Sequence, residues 1–285
     1  MSVIKKNIYD LTKKDLEIFI KNEKIKLFRV KQIWNWLYVK GVKSFFEMHN
    51  LPNDIKKTLD NKFLISLLKV KQSYTSEDGT KKWLFQLKDN RQIETVFIPE
   101  GKRGTVCVSS QVGCSLSCSF CHTGTMKLER NLTLDEILGQ IMTVKFFLED
   151  WGKKTEEKVI TNIVFMGMGE PLLNYNNVIN SIKTLCDTEG LAISKRKITL
   201  STSGIVNKIK DFQRDTDVNL AISLHAAFDR IRDELVPVNK KWPISSLFKE
   251  LEVYNSSERK KRITFEYIML DGINDTLNDA KELIK

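Results

Sequence analysis

The sequence has 285 residues, of which 41% are hydrophobic and 29% are charged, and its formal net charge is +10. These proportions are typical of a soluble globular protein that is long enough to bury a sizeable core. No apolar run approaches the length that a membrane-spanning helix needs, and residues 1–14 lack the apolar segment of a secretory signal. We therefore expect a cytoplasmic protein without a membrane partner.

Most of the positive charge lies near the N-terminus. Residues 1–70 contain 15 Lys and Arg against 7 Asp and Glu, which is a net charge of +8. A basic surface attracts phosphates, and the release of their counterions gives sequence-independent affinity for nucleic acid. From the charge alone, a solvated lysine-rich surface is the simpler interpretation.

Residues 1–66 are predicted to form a small basic helical domain. Thr12 and Asp15 have the spacing of a capping box, which marks the start of a helix. A second helix is indicated by apolar residues at helical spacing, which we expect in the core: Val30, Ile33, Trp34, Leu37 and Tyr38. Its opposite face carries Arg29 and Lys31, which we expect to be available to solvent or phosphate.

Residues 67–103 are predicted to form a short antiparallel β segment. Apolar residues alternate with polar ones over this stretch, with Trp83, Phe85 and Leu87 on one face. Turn residues at 76–79 and 88–91 separate the strands. Glu94 lies in the third strand, where the pattern alone predicts an outward-facing polar residue.

Residues 104–285 alternate between predicted strands and helices, which is typical of a parallel sheet covered by helices. Thr133 and Glu136 form a second capping box at the start of the clearest helix. The predicted strands are 105–109, 159–166, 197–202, 218–224 and 263–270. An α/β fold of this kind, an incomplete barrel, places its active site at the carboxyl ends of the strands.

Three of the five cysteines lie within eight residues, Cys114, Cys118 and Cys121, with the spacing C-x3-C-x2-C. Thiolates at this spacing can turn toward one centre, and soft sulfur ligands select zinc, copper(I) or an iron–sulfur cluster. A Cys3His zinc site that includes His122 is a second possibility, although no second pair of ligands accompanies it. The small, odd number of cysteines in a long chain argues against a disulfide framework.

Other polar residues follow the predicted strands. Glu170, in a Gly-Met-Gly-Glu turn after the second strand, could pair with the ammonium of a bound amino acid. Ser201 ends the third strand, and Ser223 and His225 end the fourth, where they could form hydrogen bonds with a ligand. Without further information, His225 would be interpreted as a structural histidine, and Cys186 as a packing residue on a helix.

These motifs occur in the same order as in one protein family. The resemblance to that family extends from residues 28–34 to residues 271–275. The matching runs are Cys107-Val-Ser-Ser-Gln-Val-Gly-Cys114, the three-cysteine motif, Gly167-Met-Gly-Glu170-Pro171, Ser201-Thr-Ser-Gly204 and Ser223-Leu-His225-Ala. The C-x3-C-x2-C spacing is similar to that of radical S-adenosylmethionine (SAM) enzymes, and the flanking residues resemble the RlmN-type RNA adenine C2 methyltransferases. The resemblance implies a partial (β/α)6 radical SAM barrel over residues 104–285.

The resemblance also implies cofactors and site residues. A [4Fe–4S] cluster would be bound by Cys114, Cys118 and Cys121, leaving one iron open to SAM. Glu94 would take the proton from the adenine C2 position, and Cys107 would form a disulfide that releases the methylated RNA. The residues expected to bind SAM are Gly169, Glu170, Ser201, Ser223, Leu224 and His225.

The implied activity is methylation at C2 of an adenosine in the peptidyl transferase centre of 23S rRNA and of the tRNA adenosine next to the anticodon. Two SAM molecules would be used per turnover. The implied partners are therefore 23S rRNA, tRNA and an electron donor such as flavodoxin, and we expect a monomer. A flipped-out, unpaired adenosine suits an active site at the mouth of a barrel.

The sequence departs from the family pattern at its end. The family continues with another strand, an asparagine that contacts SAM and a cysteine that carries the methyl group, whereas this sequence stops at Lys285. We therefore expect a truncated chain. Three alternatives remain: the sister family that methylates adenine at C8, a radical SAM enzyme that does not methylate, and an inactive remnant that keeps cluster and RNA binding.

Overall fold

The structure, a computed structural model, describes residues 5–154, 157–255 and 262–285. Its first part is helical, with two short strands that pair in parallel. The elements are β1 (Lys6–Asn7), α1 (Lys13–Asn22), α2 (Phe28–Asn35), α3 (Asn53–Lys62) and β2 (Phe63–Leu64). The predicted helical character of this segment is thus confirmed for the described residues.

The predicted start of α1 is confirmed in detail. The Thr12 hydroxyl accepts a hydrogen bond from the Asp15 backbone N–H at 3.2 Å, and the Asp15 carboxylate accepts one from the Thr12 N–H at 3.0 Å. Both of these backbone donors would otherwise lack a partner at the helix end. All five apolar residues of the second predicted helix are buried: Val30, Ile33, Trp34, Leu37 and Tyr38.

Acidic residues of the larger part of the chain hold two of the N-terminal lysines. Lys13 Nζ lies 2.9 Å from Asp187 and 2.7 Å from Glu189, and Lys31 Nζ lies 3.0 Å from Glu189. Lys31 remains largely exposed but already has an anionic partner, so it is less available to phosphate than we expected. Part of the basic charge of residues 1–70 therefore fixes the helical part to the rest of the protein.

A four-stranded antiparallel segment follows, made of β3 (Lys69–Thr75), β4 (Lys81–Gln86), β5 (Gln92–Glu100) and β6 (Arg103–Cys107). The alternation predicted for β4 is confirmed, since Trp83, Phe85 and Leu87 are buried. Both predicted turns are present, closed by backbone hydrogen bonds of 2.8 Å from Ser76 to Thr80 and from Leu87 to Arg91.

The rest of the chain alternates between strands and helices. Its elements are β7 (Gln111–Val112), α4 (His122–Thr125), β8 (Arg130–Asn131), α5 (Leu134–Phe147), β9 (Asn162–Phe165), α6 (Tyr175–Cys186), β10 (Ile198–Thr202), α7 (Val206–Asp215), β11 (Asn219–Ser223), α8 (Asp229–Leu235), α9 (Ile244–Asn255), β12 (Ile263–Glu266) and α10 (Leu277–Ile284). No helix in the described ranges is long and apolar enough to cross a bilayer.

One eight-stranded sheet, in the order β12-β11-β10-β9-β6-β5-β4-β3, organises the molecule. The strands β6, β9, β10, β11 and β12 pair in parallel, and β5, β4 and β3 extend the sheet with antiparallel strands. The predicted α/β fold with a parallel sheet and a short antiparallel segment is confirmed. Within the described residues the parallel part has these five strands, against the six of a (β/α)6 barrel.

The last parallel strand is shorter than predicted. The sequence predicted a strand over 263–270, whereas β12 ends at Glu266. Beyond that point the backbone N–H groups find side-chain partners instead of a neighbouring strand. Ile268 N–H donates to His225 Nδ1 at 3.1 Å, and Leu270 N–H donates to Asn274 Oδ1 at 2.7 Å. Strand propensity could not indicate these tertiary contacts.

We predict that replacing Gly41 by Ala destabilises the contact between the helical part and the loop after α5. Gly41 has φ +67°, and a Cβ there would lie 2.3 Å from the Trp151 ring. The left-handed backbone costs an L-residue about 1–2 kcal/mol. The clash adds about 1–3 kcal/mol of overpacking.

Gly101 is the matched control, because it has φ +56° and nothing within 4 Å of an added Cβ. Urea denaturation of G41A and G101A should therefore show the larger loss of unfolding free energy for G41A. Equal losses in the two variants would show that the Trp151 contact contributes nothing.

Candidate active site

A cavity of about 250 Å³ lies where the parallel strands end. The neighbouring segments that follow β9, β10 and β11 reach it, together with the cysteine loop and the end of β12. Its lining is Cys114, Leu116, Cys118, Phe120, Cys121, Thr123, Phe165, Met166, Gly167, Gly169, Glu170, Pro171, Ser201, Thr202, Ser203, Ser223, His225 and Glu266. The structure thus brings most of the predicted site residues together.

The three cysteines of the C-x3-C-x2-C motif all face this cavity. Cys118 is buried, and Cys114 and Cys121 are half-buried. The loop is held closed because the Cys121 N–H donates to the Cys118 carbonyl at 3.1 Å. Burial raises the pKa of Cys114 and raises that of Cys118 to about 11, and the negative charges of Glu170 and Cys121 raise both further. A positive metal centre would reverse this, because it stabilises the thiolates.

The position of His122 gives no support to the alternative zinc site. His122 is exposed and does not line the cavity, whereas Cys114, Cys118 and Cys121 all do. The fourth ligand that a Cys3His zinc site requires therefore does not lie beside the three thiols.

Glu170 is held at the back of the cavity by backbone donors. It is 2% exposed, and its carboxylate accepts hydrogen bonds from the Leu172 N–H at 3.1 Å and the Ser203 N–H at 2.8 Å. Burial nevertheless raises its pKa to about 7. The preceding Gly169 has φ +90°, and a Cβ there would lie 2.4 Å from the Gln111 side chain. Glycine is therefore required for this turn.

Ser201 and Ser223 meet at a carboxylate that the sequence did not reveal. Glu266 Oε2 lies 2.7 Å from Ser201 Oγ and 3.0 Å from Ser223 Oγ, and the two hydroxyls are 3.2 Å apart. Glu266 is the last residue of β12 and is paired in register with Ser223 of β11. In the sequence, Glu266 was only an acidic residue inside the predicted strand 263–270. The end of β12 at Glu266, which brings its carboxylate to the two serines, was not predicted.

His225 lies in the cavity wall in an unusual backbone conformation. Its φ is +58°, and its Nδ1 accepts a hydrogen bond from the Ile268 N–H at 3.1 Å. Burial lowers its pKa, so the imidazole is neutral and its Nε2 carries the proton that can be donated. The predicted contact residue Leu224 is also buried, but it is not among the residues that line the cavity.

Cys107 ends β6 on the face of the sheet that looks toward this site. Burial raises its pKa to about 11, although a hydrogen bond from the Met166 backbone opposes the shift, and the charge of Glu266 raises it further. All five cysteines of the chain lie in described residues and all are free thiols, so the predicted disulfide of Cys107 is not present.

Glu94 lies on β5, whose Val96 is paired with Cys107 of β6. Because side chains alternate along a strand, Glu94, Val96 and Cys107 share one face of the sheet. The Glu94 carboxylate lies 3.0 Å from Lys82 Nζ and is half-exposed. Glu94 does not line the cavity that holds the cysteines. The structure therefore places it on the same face as the site and outside the cavity.

A larger cavity, of about 820 Å³, lies at the opposite edge of the sheet. It is lined by the ends of α6 and α7, and includes Cys186, Lys183 and Arg214. None of the ordered motifs reaches it, and Cys186 there is half-buried among helix residues. The size of a cavity alone would therefore have selected the wrong end of the sheet.

Comparisons with known proteins agree with this geometry. Residues 6–65 match the family described as ribosomal RNA large subunit methyltransferase N-terminal domain, and residues 108–284 match the radical SAM superfamily. A dual-specificity RNA methyltransferase RlmN from Paracoccus denitrificans is 49% identical over 261 residues, covering 90% of this chain and 67% of the relative. The chain belongs to the RlmN family of radical SAM proteins. The resemblance predicted from the motifs is confirmed.

A second RlmN relative and one solved structure extend the comparison. The RlmN of Rhodospirillum rubrum is 46% identical over 280 residues, covering 98% of this chain and 65% of the relative. A crystal structure of a radical SAM methyltransferase from Sphaerobacter thermophilus matches with a TM-score of 0.89 at 38% identity, covering 98% of this chain and 80% of that one. The chain spans about two thirds of the length of these two RlmN relatives. Radical SAM proteins use a [4Fe–4S] cluster and SAM.

The raised pKa of Cys107 leads to a testable expectation for thiol chemistry. With a pKa of about 11, only about one thiol in a thousand is ionised at pH 8. Because the thiolate is the nucleophile, alkylation of Cys107 by iodoacetamide should be slow at pH 8 and should accelerate up to about pH 11. Peptide mapping by mass spectrometry measures the rate, and C107S identifies the peptide. A rate that levels off below pH 9 would contradict the assignment.

Proposed function

We propose that this chain is the cluster- and SAM-binding part of an RNA methyltransferase that modifies C2 of adenosine. The proposed substrates are 23S rRNA at the peptidyl transferase centre and tRNA next to the anticodon. The observation that carries the proposal is the meeting of three cysteines, a buried carboxylate and two serines in one cavity. The names of the two relatives from Paracoccus denitrificans and Rhodospirillum rubrum support methylation at C2 over the C8-specific sister reaction, because each relative is called RlmN.

The residues of the cavity fit the proposed cofactors. Cys114, Cys118 and Cys121 would bind the [4Fe–4S] cluster, since they supply three thiols around an open volume. When bound, the reduced cluster and SAM together supply a carbon radical, which an aromatic C2 position requires because it is not a nucleophile. The residues proposed to contact SAM are Gly169, Glu170, Ser201, Ser223, His225 and Leu224, the last through its position beside His225.

Glu170 would bind the ammonium of the methionine part of SAM. With a pKa of about 7 this carboxyl is only partly ionised at neutral pH, and an adjacent ammonium would stabilise its ionised form and lower that pKa. Ser201 and Ser223 donate to Glu266 and would exchange these hydrogen bonds for ligand hydroxyls. The neutral His225 can donate from Nε2, since its Nδ1 is occupied by Ile268. Together these side chains orient SAM and exclude water.

Glu94 and Cys107 have proposed roles after SAM cleavage, in proton removal from the adenine and in release of the methylated RNA. Glu94 would accept the proton from C2, and its carboxylate is oriented by Lys82 at 3.0 Å. The Cys107 thiolate would attack the sulfur of the methyl-carrying cysteine, so that an S–S bond forms as the S–C bond to the adenine-bound carbon breaks. The electron pair of the S–C bond would stay with that carbon, which takes up a proton to complete the methyl group. We propose a monomer that receives electrons from a small redox protein such as flavodoxin.

Residues 1–66 are proposed to be the accessory RNA-binding domain. Several of its lysines are exposed, among them Lys14, Lys21 and Lys26. Phe28 is 54% exposed, and the Arg29 guanidinium lies 4.7 Å from the centre of its ring. Exposed aromatic and guanidinium groups stack on unpaired bases, while lysines attract the backbone phosphates. Such a surface suits a folded RNA with an accessible loop.

The first test of the proposed function measures iron and SAM cleavage. Protein purified and reconstituted without oxygen should contain about four irons per chain, by the stoichiometry of this cluster type. With dithionite it should convert SAM to 5′-deoxyadenosine. C118A should lose both properties, whereas the matched control C186A should keep them, because Cys186 lies at the opposite edge of the sheet. Bound zinc without iron would disprove the proposal.

Methyl transfer should need a further cysteine. The five cysteines of the chain are the three proposed ligands, Cys107 and Cys186, and none has the position that the resemblance gives to the methyl carrier. We expect the 285 residues alone to cleave SAM without forming 2-methyladenosine in RNA digests, with the Paracoccus denitrificans relative as positive control. Formation of 2-methyladenosine by the chain alone would show that the carrier assignment is wrong.

The RNA-binding proposal predicts a steep salt dependence. The triple variant K14Q/K21Q/K26Q should bind an rRNA fragment more weakly, and the slope of log affinity against log salt should fall by about 0.7–0.9 for each lost phosphate contact. K13Q is the matched control, because Lys13 is already paired with Asp187 and Glu189. Fluorescence anisotropy at several salt concentrations measures both slopes. An unchanged slope in the triple variant would contradict the proposal.

A further inference from the structure

Arg232 on α8 is fully buried directly behind the candidate active site. Its relative exposure is 0%, and it is among the largest fully buried side chains of the described residues. A buried guanidinium costs free energy unless its donors and charge are compensated. Among the Lys and Arg side chains that the structure describes, only Lys56 and Lys145 are also buried, on α3 and α5. Arg232 therefore differs from the other Lys and Arg side chains of the described residues, because it is completely buried and lies behind the candidate active site.

The guanidinium joins the two segments that follow β10 and β11. Its Nη2 donates to the Ser203 carbonyl at 2.8 Å and to the Ser223 carbonyl at 3.1 Å. Its Nε donates to the Leu224 carbonyl at 3.0 Å. These carbonyls belong to the segments that present Ser201, Ser223 and His225 to the cavity. One planar side chain thus fixes the spacing of two strand ends.

The helix that carries Arg232 also supports the cysteine loop. The Ser119 N–H donates to the Leu235 carbonyl at the end of α8 at 3.1 Å. Cys118 packs in one apolar cluster with Ile231 and Leu235, which flank Arg232 on the same helix. Movement of α8 would therefore displace both the cysteine loop and the two serine-bearing segments.

The charge of Arg232 has no direct carboxylate partner in the described part of the chain. Its Nη1 donates to the amide oxygen of Asn239 at 2.7 Å, and Asn239 in turn donates to Asp229 at 2.8 Å and Asp233 at 2.7 Å. Burial lowers the pKa of Arg232 to about 10, and the charges of Asp229 and Asp233 oppose the shift. The side chain therefore stays protonated at neutral pH, on the helix whose Ile231 and Leu235 pack in one cluster with Cys118.

We propose that Arg232 is a positioning residue that locks the segments after β10 and β11 to the cysteine loop and supplies the buried positive charge that offsets the negative charge of the cysteine-bound cluster. This inference rests on the proposed binding of the cluster by Cys114, Cys118 and Cys121. The planar guanidinium, whose donors bind both segments, holds these segments in position. Its positive charge favours addition of an electron to the cluster. The two contributions can be separated by substitution.

The test compares R232M, R232K and R214Q after anaerobic reconstitution. R232M removes both the planar guanidinium and its charge, whereas R232K keeps a positive charge without the planar group. R214Q is the control, because it removes a charge from a side chain that is 66% exposed on α7. The readouts are iron content, the reduction potential from an EPR-monitored titration, and SAM affinity by equilibrium dialysis. None of them depends on turnover.

For R232M we expect a more negative potential, by at least a tenfold change in the one-electron equilibrium constant, which is about 59 mV, and weaker SAM binding. R232K should keep a potential close to that of the unmodified chain and still bind SAM at least tenfold more weakly, because an ammonium cannot bridge both segments. R214Q should match the unmodified chain in all three readouts.

The failures of this inference and of the proposed function are distinguishable. If the unmodified chain takes up no iron, the proposed function is wrong, and this inference falls with it. If the chain loads iron normally but R232M and R232K match it in potential and SAM affinity, only the inference is overturned. If circular dichroism shows that neither Arg232 variant folds, Arg232 is a residue of fold stability, and the positioning role is likewise overturned.

Discussion

Parallel pairing within one sheet is the constraint on which the rest of this protein depends. The strands β6, β9, β10, β11 and β12 run in the same direction, so their carboxyl ends meet at one edge. Ser201, Ser223 and Glu266 come from three different strands and form one hydrogen-bonded group only because of that register. The cysteine loop follows the first of these strands and closes over the same edge. The chemistry therefore follows from the topology.

The second constraint is electrostatic. The edge gathers three thiols and two carboxylates in one cavity, with Cys107 outside its lining. Burial raises the pKa of Glu170 to about 7 and those of Cys107 and Cys118 to about 11. Such a site favours neutral side chains until positive charge arrives. An iron centre and the cationic sulfonium and ammonium of SAM would supply that charge. The protein itself contributes Arg232, which is buried behind the site and holds two strand ends.

Motifs of short range were predictable from the sequence, and contacts between distant strands were not. The cysteine spacing, the Gly169–Glu170 turn and both capping boxes depend on residues close in sequence, and the alternation of Trp83 and Phe85 identified β4. The role of Glu266 depends on the register of β12 with β11, and the early end of β12 depends on His225 and Asn274. The pairing of Lys31 with Glu189 likewise required the packed structure.

The central claim is that the three cysteines and the strand ends form a single site for a cluster and SAM. The EPR spectrum of the reduced, iron-loaded protein, recorded with and without SAM, tests it most directly. We expect the spectrum to change when SAM is added, because three cysteine ligands leave one iron available to it. A cluster spectrum that SAM leaves unchanged, at SAM concentrations that saturate binding, would contradict the account.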